Sequence, residues 1–145
     1  MFVTKILASK STQGVLTIDP GASIADAVAE LSARRIGALV VSSDGRRAEG
    51  ILSERDIVRE LGKSGTGVMT RKVGDLMTRT LKTCAPGDQS SEILARMTEG
   101  RFRHMPVEED GLLIGLISLG DVVKAQLSEV SMEKEALEAM ITGNA

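Results

Sequence analysis

The chain has 145 residues, 42% of them hydrophobic and 26% charged, a balance that suits one domain or two small repeats sharing a core and excludes global disorder. A net charge of −2, no Trp, no Tyr and only two Phe leave no broad basic field for nucleic acid or anionic membrane and no aromatic platform for stacked bases. The single cysteine, Cys84, excludes an internal disulfide and a multi-thiolate metal site. The apolar runs fall far short of a membrane span, and Met1 to Leu7 lacks a signal peptide's apolar core, so a reducing cytoplasm is the expected compartment.

In chain order, Val3 to Leu7 reads as a short helical lead-in, and Leu16 to Ile18 as a strand stopped by the turn residues Asp19-Pro20-Gly21. Ser23 is an N-cap for a helix whose apolar stripe is Ile24, Ala27, Val28 and Leu31. Leu39-Val40-Val41 is a buried strand, Asp44-Gly45 a turn and Gly50-Ile51-Leu52 the returning strand. Helical spacing restarts at Ser53 with Ile57, Val58 and Leu61, and Gly62 to Gly67 has the composition of a flexible linker. Val73 to Thr78 is a second lead-in.

From there the pattern repeats. Thr17-Ile18-Asp19-Pro20-Gly21 aligns with Thr83-Cys84-Ala85-Pro86-Gly87 at an offset of 66, and Arg35 to Val41 aligns with Arg101 to Val107. After one loop residue is lost, Gly50 to Val58 aligns with Gly115 to Val123 at an offset of 65. Each copy reads strand, helix, strand, strand, helix. A unit of that size buries too little surface alone, so an α/β (α+β) fold is expected in which two βαββα repeats pack through their sheets with pseudo-twofold symmetry. The expected ranges are 3–61 and 73–125 for the copies, 62–72 for the linker and 126–145 for a C-terminal amphipathic helix. That helix carries Val122, Val123, Leu127, Val130, Leu137, Met140 and Ile141, and its stripe reads as core packing in preference to a dimer contact.

The chemistry concentrates in Ser53-Glu54-Arg55-Asp56 and Ser118-Leu119-Gly120-Asp121. Each follows a Gly-led strand and opens a helix. A single instance reads as a capping box; two at one repeat position suggest more. A helix N-terminus offers free N–H groups and partial positive charge to a phosphate. An Asp in its first turn can accept two hydrogen bonds from a ribose diol, and the Ser hydroxyl can reach a phosphate oxygen. Arg103 and His104 are suited to phosphate, with Met105 and Pro106 an apolar wall for a base; the matching Gly37 and Ala38 are small enough to admit one. Arg55, opposite Gly120 in the alignment, is a second asymmetry between two unequal clefts. Catalysis finds little support: Cys84 and His104 are lone examples in different elements, no metal cluster is present, and no HExxH, GxSxG or GxxxxGK[ST] pattern occurs.

Together, Val73 to Thr78, the strand Arg103 to Val107 and the two Gly-x-x-Ser-x-x-Asp segments ending at Asp56 and Asp121 make the chain resemble a tandem pair of cystathionine-β-synthase (CBS) domains, a Bateman module, over Val3 to Ala125. The resemblance implies an adenine-containing ligand (AMP, ADP, ATP, NAD or S-adenosylmethionine) held in clefts between the repeats as a regulatory ligand, not a catalytic cofactor. Asp56 and Asp121 would hold ribose, Ser53 and Ser118 phosphate or ribose, and Thr17 and Thr83 would line the base pocket. Arg103 and His104 would reach phosphate, across to the opposite cleft. It implies homodimers of modules and, with no residues left for an effector domain, a free-standing sensor of energy or redox state acting on a separate effector protein, without nucleic acid or membrane. Two alternatives stand beside it: a structural dimerisation module without ligand, and a small enzyme using Cys84 or His104.

Overall fold

Ser23 opens helix α2 (Ile24–Arg34) by accepting a hydrogen bond from the Asp26 amide, and the buried Ile24, Ala27 and Leu31 fix the face the helix turns inward. In this computed structural model, which describes residues 1–10 and 14–143, the remaining elements are α1 (Val3–Ser9), β1 (Thr17–Ile18), β2 (Ala38–Val41), β3 (Gly50–Ser53), α3 (Glu54–Ser64), α4 (Val73–Leu76), α5 (Ser90–Gly100), β4 (His104–Glu109), β5 (Leu112–Ser118) and α6 (Leu119–Thr142). The architecture is the mixed α/β repeat expected, with one contraction. The first strand of the second copy shrinks to a single bridged residue, Cys84. The parts of the expected ranges 3–61 and 126–145 that fall on residues 11–13 and 144–145 lie outside the described residues.

The backbone divides into two units. One joins Gly14–Thr83 to Pro106–Leu116 and contains the sheet β1-β2-β3, with β1 parallel and β3 antiparallel to β2. All four residues of β2 are buried, as expected of a central strand covered on both faces. Leu39, Val41 and Leu52 from the sheet meet Ile24, Ala27, Leu31 and Ile57 from the helices, Val73 and Leu76 from α4 and the Met77 that follows it in one cluster. The glycine-rich stretch expected to be a flexible linker is helical instead: α3 runs to Ser64 and a 3-10 turn covers Gly65–Thr70. Val68 is the reason, since its side chain is fully buried in that cluster and ordering the turn is the condition for burying it.

The other unit joins residues 1–13, Cys84–Met105 and Ile117–Ala145. Ile93 and Met97 of α5, Val122 and Ala125 of α6 and Val3 and Ile6 of α1 are buried. Ser90, also buried, donates its hydroxyl to Gln126 Oε1 at 2.7 Å. Helices α2 and α5 end alike, on Arg35 and Arg101 in the left-handed region (φ 54° and 56°).

The lead-ins are exchanged between the sequence copies. Helix α1, which precedes the first copy, docks on the turn of the second: Val3 N–H donates to Asp88 O at 2.9 Å and Thr4 N–H to Pro86 O at 3.1 Å. Helix α4, which precedes the second copy, docks on the turn of the first: Val73 N–H donates to Ala22 O at 2.8 Å and Gly74 N–H to Pro20 O at 2.9 Å. Ala22 and Asp88 are matching positions of the repeat, as are Pro20 and Pro86. Beyond α4, Thr78 pairs with Ile51, and Met77 crosses so close to Gly50 that an added Cβ would lie 2.6 Å from Met77 Sδ and 3.0 Å from Thr78 O. Gly50→Ala is therefore expected to cost about 1–3 kcal/mol by overpacking, read as a lower urea midpoint; an unchanged midpoint would show that this approach is not tight.

Candidate functional site

Strand pairing gathers the first copy's candidates at one end of the sheet. Because β1 runs parallel and β3 antiparallel to β2, the start of β1 (Thr17), the start of β2 (Ala38) and the end of β3 (Ser53) share an edge, with Ala38 directly opposite Ser53. The Glu54 amide donates to Gly37 O at 2.9 Å, which holds the first turn of α3 against the strand. In the second copy the Leu119 amide donates to Arg103 O at 2.7 Å, so Arg103 and His104, at the entry to β4, adjoin the N-cap Ser118 and the first turn of α6 with Asp121. Arg103 is exposed, His104 half-buried, and Met105 belongs to the core. Pro106 is buried and Thr83 half-buried, both in the unit of the three-stranded sheet. Arg55 and Gly120 are exposed.

Both Ser-x-x-Asp segments are complete capping boxes. The Asp56 amide donates to Ser53 Oγ at 3.3 Å while the Ser53 amide donates to Asp56 Oδ2 at 2.9 Å. The Asp121 amide donates to Ser118 Oγ at 3.1 Å and the Ser118 amide to Asp121 Oδ2 at 2.9 Å. The first helical amide goes to the strand and the third to the serine. The second, Arg55 in one copy and Gly120 in the other, has no hydrogen bond among the described residues, which makes it the donor open to an anion. Around Gly120 the space is clear: an added Cβ would find only Ser118 Oγ, at 3.6 Å.

The two carboxylates differ in what they have left to offer. Asp56 is 7% exposed; its Oδ1 accepts from Arg59 Nη2 at 2.9 Å and its Oδ2 also accepts from the Ser53 hydroxyl at 3.0 Å. Among the described residues Asp121 takes its hydrogen bonds on Oδ2, where Lys10 Nζ donates at 2.9 Å beside the Ser118 amide. Its Oδ1 accepts no hydrogen bond among the described residues. Burial works to raise the Asp121 carboxyl's pKa, but the Ser118 amide together with the hydrogen bond and charge of Lys10 outweigh it, so the group lies below the usual carboxylate range.

Lys10 and Arg59 are the polar residues missed at sequence level. Arg59 follows Asp56 at i,i+3 on a helix, a spacing that could have revealed it. Lys10 is 111 residues from Asp121 and gives no local signal. Cys84 is buried, and burial, helped by the nearby Asp88, pushes its thiol up to about 12, so it holds no thiolate near neutral pH. An open groove of about 560 Å³ lies between α2 and α3. Of the first-copy candidates it reaches Gly37 alone; Ser53 and Asp56 lie outside it. Among the described residues no group of His, Cys, Asp and Glu could hold a metal ion, and no helix is long and apolar enough to cross a membrane.

The sequence model of the CBS domain matches residues 6–63 and 73–128. The CBS domain-containing protein CBSX3, mitochondrial, of Arabidopsis thaliana is 38% identical over 125 residues, which is 83% of this chain and 61% of that protein; the chain thus spans about three fifths of this relative's length. The crystal structure of the CBS-domain containing protein ATU1752 from Agrobacterium tumefaciens superposes with a TM-score of 0.82 at 39% identity, covering 87% of this chain and 99% of that one. The CBS domain pair of protein MJ0100, crystallised with 5'-methylthioadenosine and S-adenosyl-L-methionine, has the same fold, with a TM-score of 0.77 at 19% identity over 89% of this chain and 98% of that one.

The Asp121 arrangement has a pH signature. A carboxyl whose native pKa is depressed contributes stability that is complete above its unfolded value of about 3.9 and is lost as the pH falls through the lower native value. Asp121→Asn should therefore lower the urea midpoint at neutral pH and narrow its deficit toward wild type below about pH 3. Asp44 shares that acid limb, held at about 2 by the Arg47 and Arg46 amides and the Ser42 hydroxyl, and both proteins retain it. A deficit independent of pH would mean that the Asp121 charge is not what Ser118 and Lys10 recognise.

Proposed function

The chain belongs to the CBS-domain family, and from that premise we propose that it is a regulatory module that binds an adenine nucleotide of the AMP, ADP, ATP or NAD class and signals its occupancy to a separate effector protein in the cytoplasm. The observation that carries this reading is that, among the described residues, neither Oδ1 of Asp121 nor the Gly120 amide at the N-terminus of α6 has a hydrogen-bond partner. A carboxylate oxygen with spare acceptor capacity suits a ribose diol, and the amide with the helix dipole suits a phosphate. In this reading Ser118, Arg103, His104 and Lys10 attend the phosphate, while Met105 backs the base. The adenosyl ligands of the MJ0100 pair are that protein's own; they supply the ligand class for the test.

The first copy offers a weaker second position. Thr17, Gly37, Ala38, Ser53 and Arg55, with Thr83, would receive base and phosphate, but Asp56 reaches a diol only after Arg59 leaves its Oδ1. Since Arg59 is 53% exposed, that exchange breaks a modest interaction. The module is proposed to pair with a second copy, because large apolar side chains on α6 and around the α2/α3 groove are left wet in a single chain. Chemical turnover has no part in the proposal; the buried, protonated Cys84 thiol argues against a nucleophile.

Titration calorimetry with AMP, ADP, ATP, NAD and S-adenosylmethionine is expected to give binding without turnover for at least one of them. Asp121→Ala removes hydrogen bonds to a charged acceptor, worth about 1.5–3 kcal/mol, and should weaken that binding roughly 10- to 100-fold. Loss of the cap should cost only about 1 kcal/mol of stability. Unchanged affinity with a large stability loss would reduce the Ser118–Asp121 pair to a cap; silence across the whole panel would favour a structural module.

A further inference from the structure

Helix α6 carries a seam that its own chain does not cover. Val122 and Ala125 are buried, Gln126 bonds to Ser90 and Glu129 pairs with the Met1 amino group, which fixes one face inward. The face beside it presents Val123, Leu127, Val130, Lys134, Leu137 and Ile141. The five apolar side chains are 40%, 65%, 62%, 59% and 84% exposed. These positions alternate by four and three residues, the 3.5-residue repeat of a left-handed coiled coil rather than the 3.6 of a helix lying on a core. The seam spans about 27 Å of helix and is interrupted once, by Lys134.

We propose that α6 pairs antiparallel with α6 of a second copy of the chain, in a register centred on residue 132. In that register Val123 meets Ile141 of the second copy, Leu127 meets Leu137, and Val130 meets the aliphatic stem of Lys134, so all six seam positions are used by a self-complementary pair. Lys134, 77% exposed and 3.9 Å from Glu138 Oε1, lies over the second copy's Val130 with its ammonium at the edge. The flanking charges select the direction. Antiparallel pairing sets Lys124 across from Glu138 twice; its one like-charge contact, Glu133 with Glu133, is straddled by the two Lys134 ammoniums. Parallel pairing would stack Lys134 on Lys134 inside the seam and face Glu133 to Glu138 on both sides. The same acidic flanks, Glu133, Glu135 and Glu138, disfavour an anionic membrane surface as the occupant. The helix is already formed in one chain, so pairing does not bear the cost of nucleating it.

This inference rests on the self-pairing part of the proposed function and is independent of nucleotide binding. Sedimentation velocity of the full chain across a concentration series is expected to show a dimer. Combining Leu127→Asp with Leu137→Asp should weaken that dimer by at least about 100-fold, with a urea midpoint that matches the unsubstituted chain once both are diluted to monomer. Direction is read by oxidation: an equimolar mixture of Leu127→Cys and Leu137→Cys chains should form the mixed disulfide while neither variant links to itself, the buried Cys84 staying silent. A dimer untouched by the two aspartates would overturn the seam while leaving self-pairing through another face. A monomer at every concentration would overturn both. Disulfide formation by each variant alone would overturn the antiparallel register.

Discussion

Everything in the candidate site follows from one junction, made twice: the amide that opens a helix donates to the carbonyl at the start of the neighbouring strand. Glu54 does this to Gly37 and Leu119 to Arg103. Each bond pins a helix N-terminus to the edge of a sheet, and the Ser-x-x-Asp box behind it satisfies a further amide. What is left is one N–H without a partner among the described residues, a partial positive charge and a carboxylate in the same helical turn. Capping and ligand binding are thus successive uses of one geometry. The cap holds the carboxylate through one oxygen, and function depends on whether the other stays available.

That second oxygen is where the repeats part. In the first copy Arg59, one helical turn on, closes it. In the second the matching residue, Lys124, makes no hydrogen bond or ion pair with Asp121 among the described residues, and charge compensation comes from Lys10 on the oxygen the cap already uses. The desolvation of the carboxylate is met in both cases, but only one solution leaves an acceptor among the described residues. Duplication followed by unequal neutralisation gives two sites with the same backbone and different chemistry.

The lead-in exchange has a comparable logic. A short helix such as α4, of four residues, has no stability alone; its first two amides, Val73 and Gly74, find their carbonyls on the turn after the first strand of the other copy. Exchange ties each sequence copy to the other through backbone hydrogen bonds and through Val3, Ile6, Val73 and Leu76, all buried. Neither copy therefore has a complete set of apolar contacts from its own residues.

The sequence by itself determined the repeat, the order of its elements, both caps and the position of the candidate carboxylates, because each is written in local period and local chemistry: apolar spacing along one helix, a Ser three residues before an Asp, a Pro-Gly turn. Within that local range it also held a misleading signal, the glycine-rich stretch after Leu61, where composition favours freedom and one buried valine overrides it. It identified the stripe on α6 but set it in the core, since spacing alone does not say what covers a face. Tertiary structure decided which copy each lead-in joins, that Lys10 guards Asp121 while Arg59 blocks Asp56, and that the α6 seam is exposed. Those outcomes depend on contacts between residues up to 111 positions apart, and such pairings come from the closing of the whole chain, which leaves no trace in the period of any one segment.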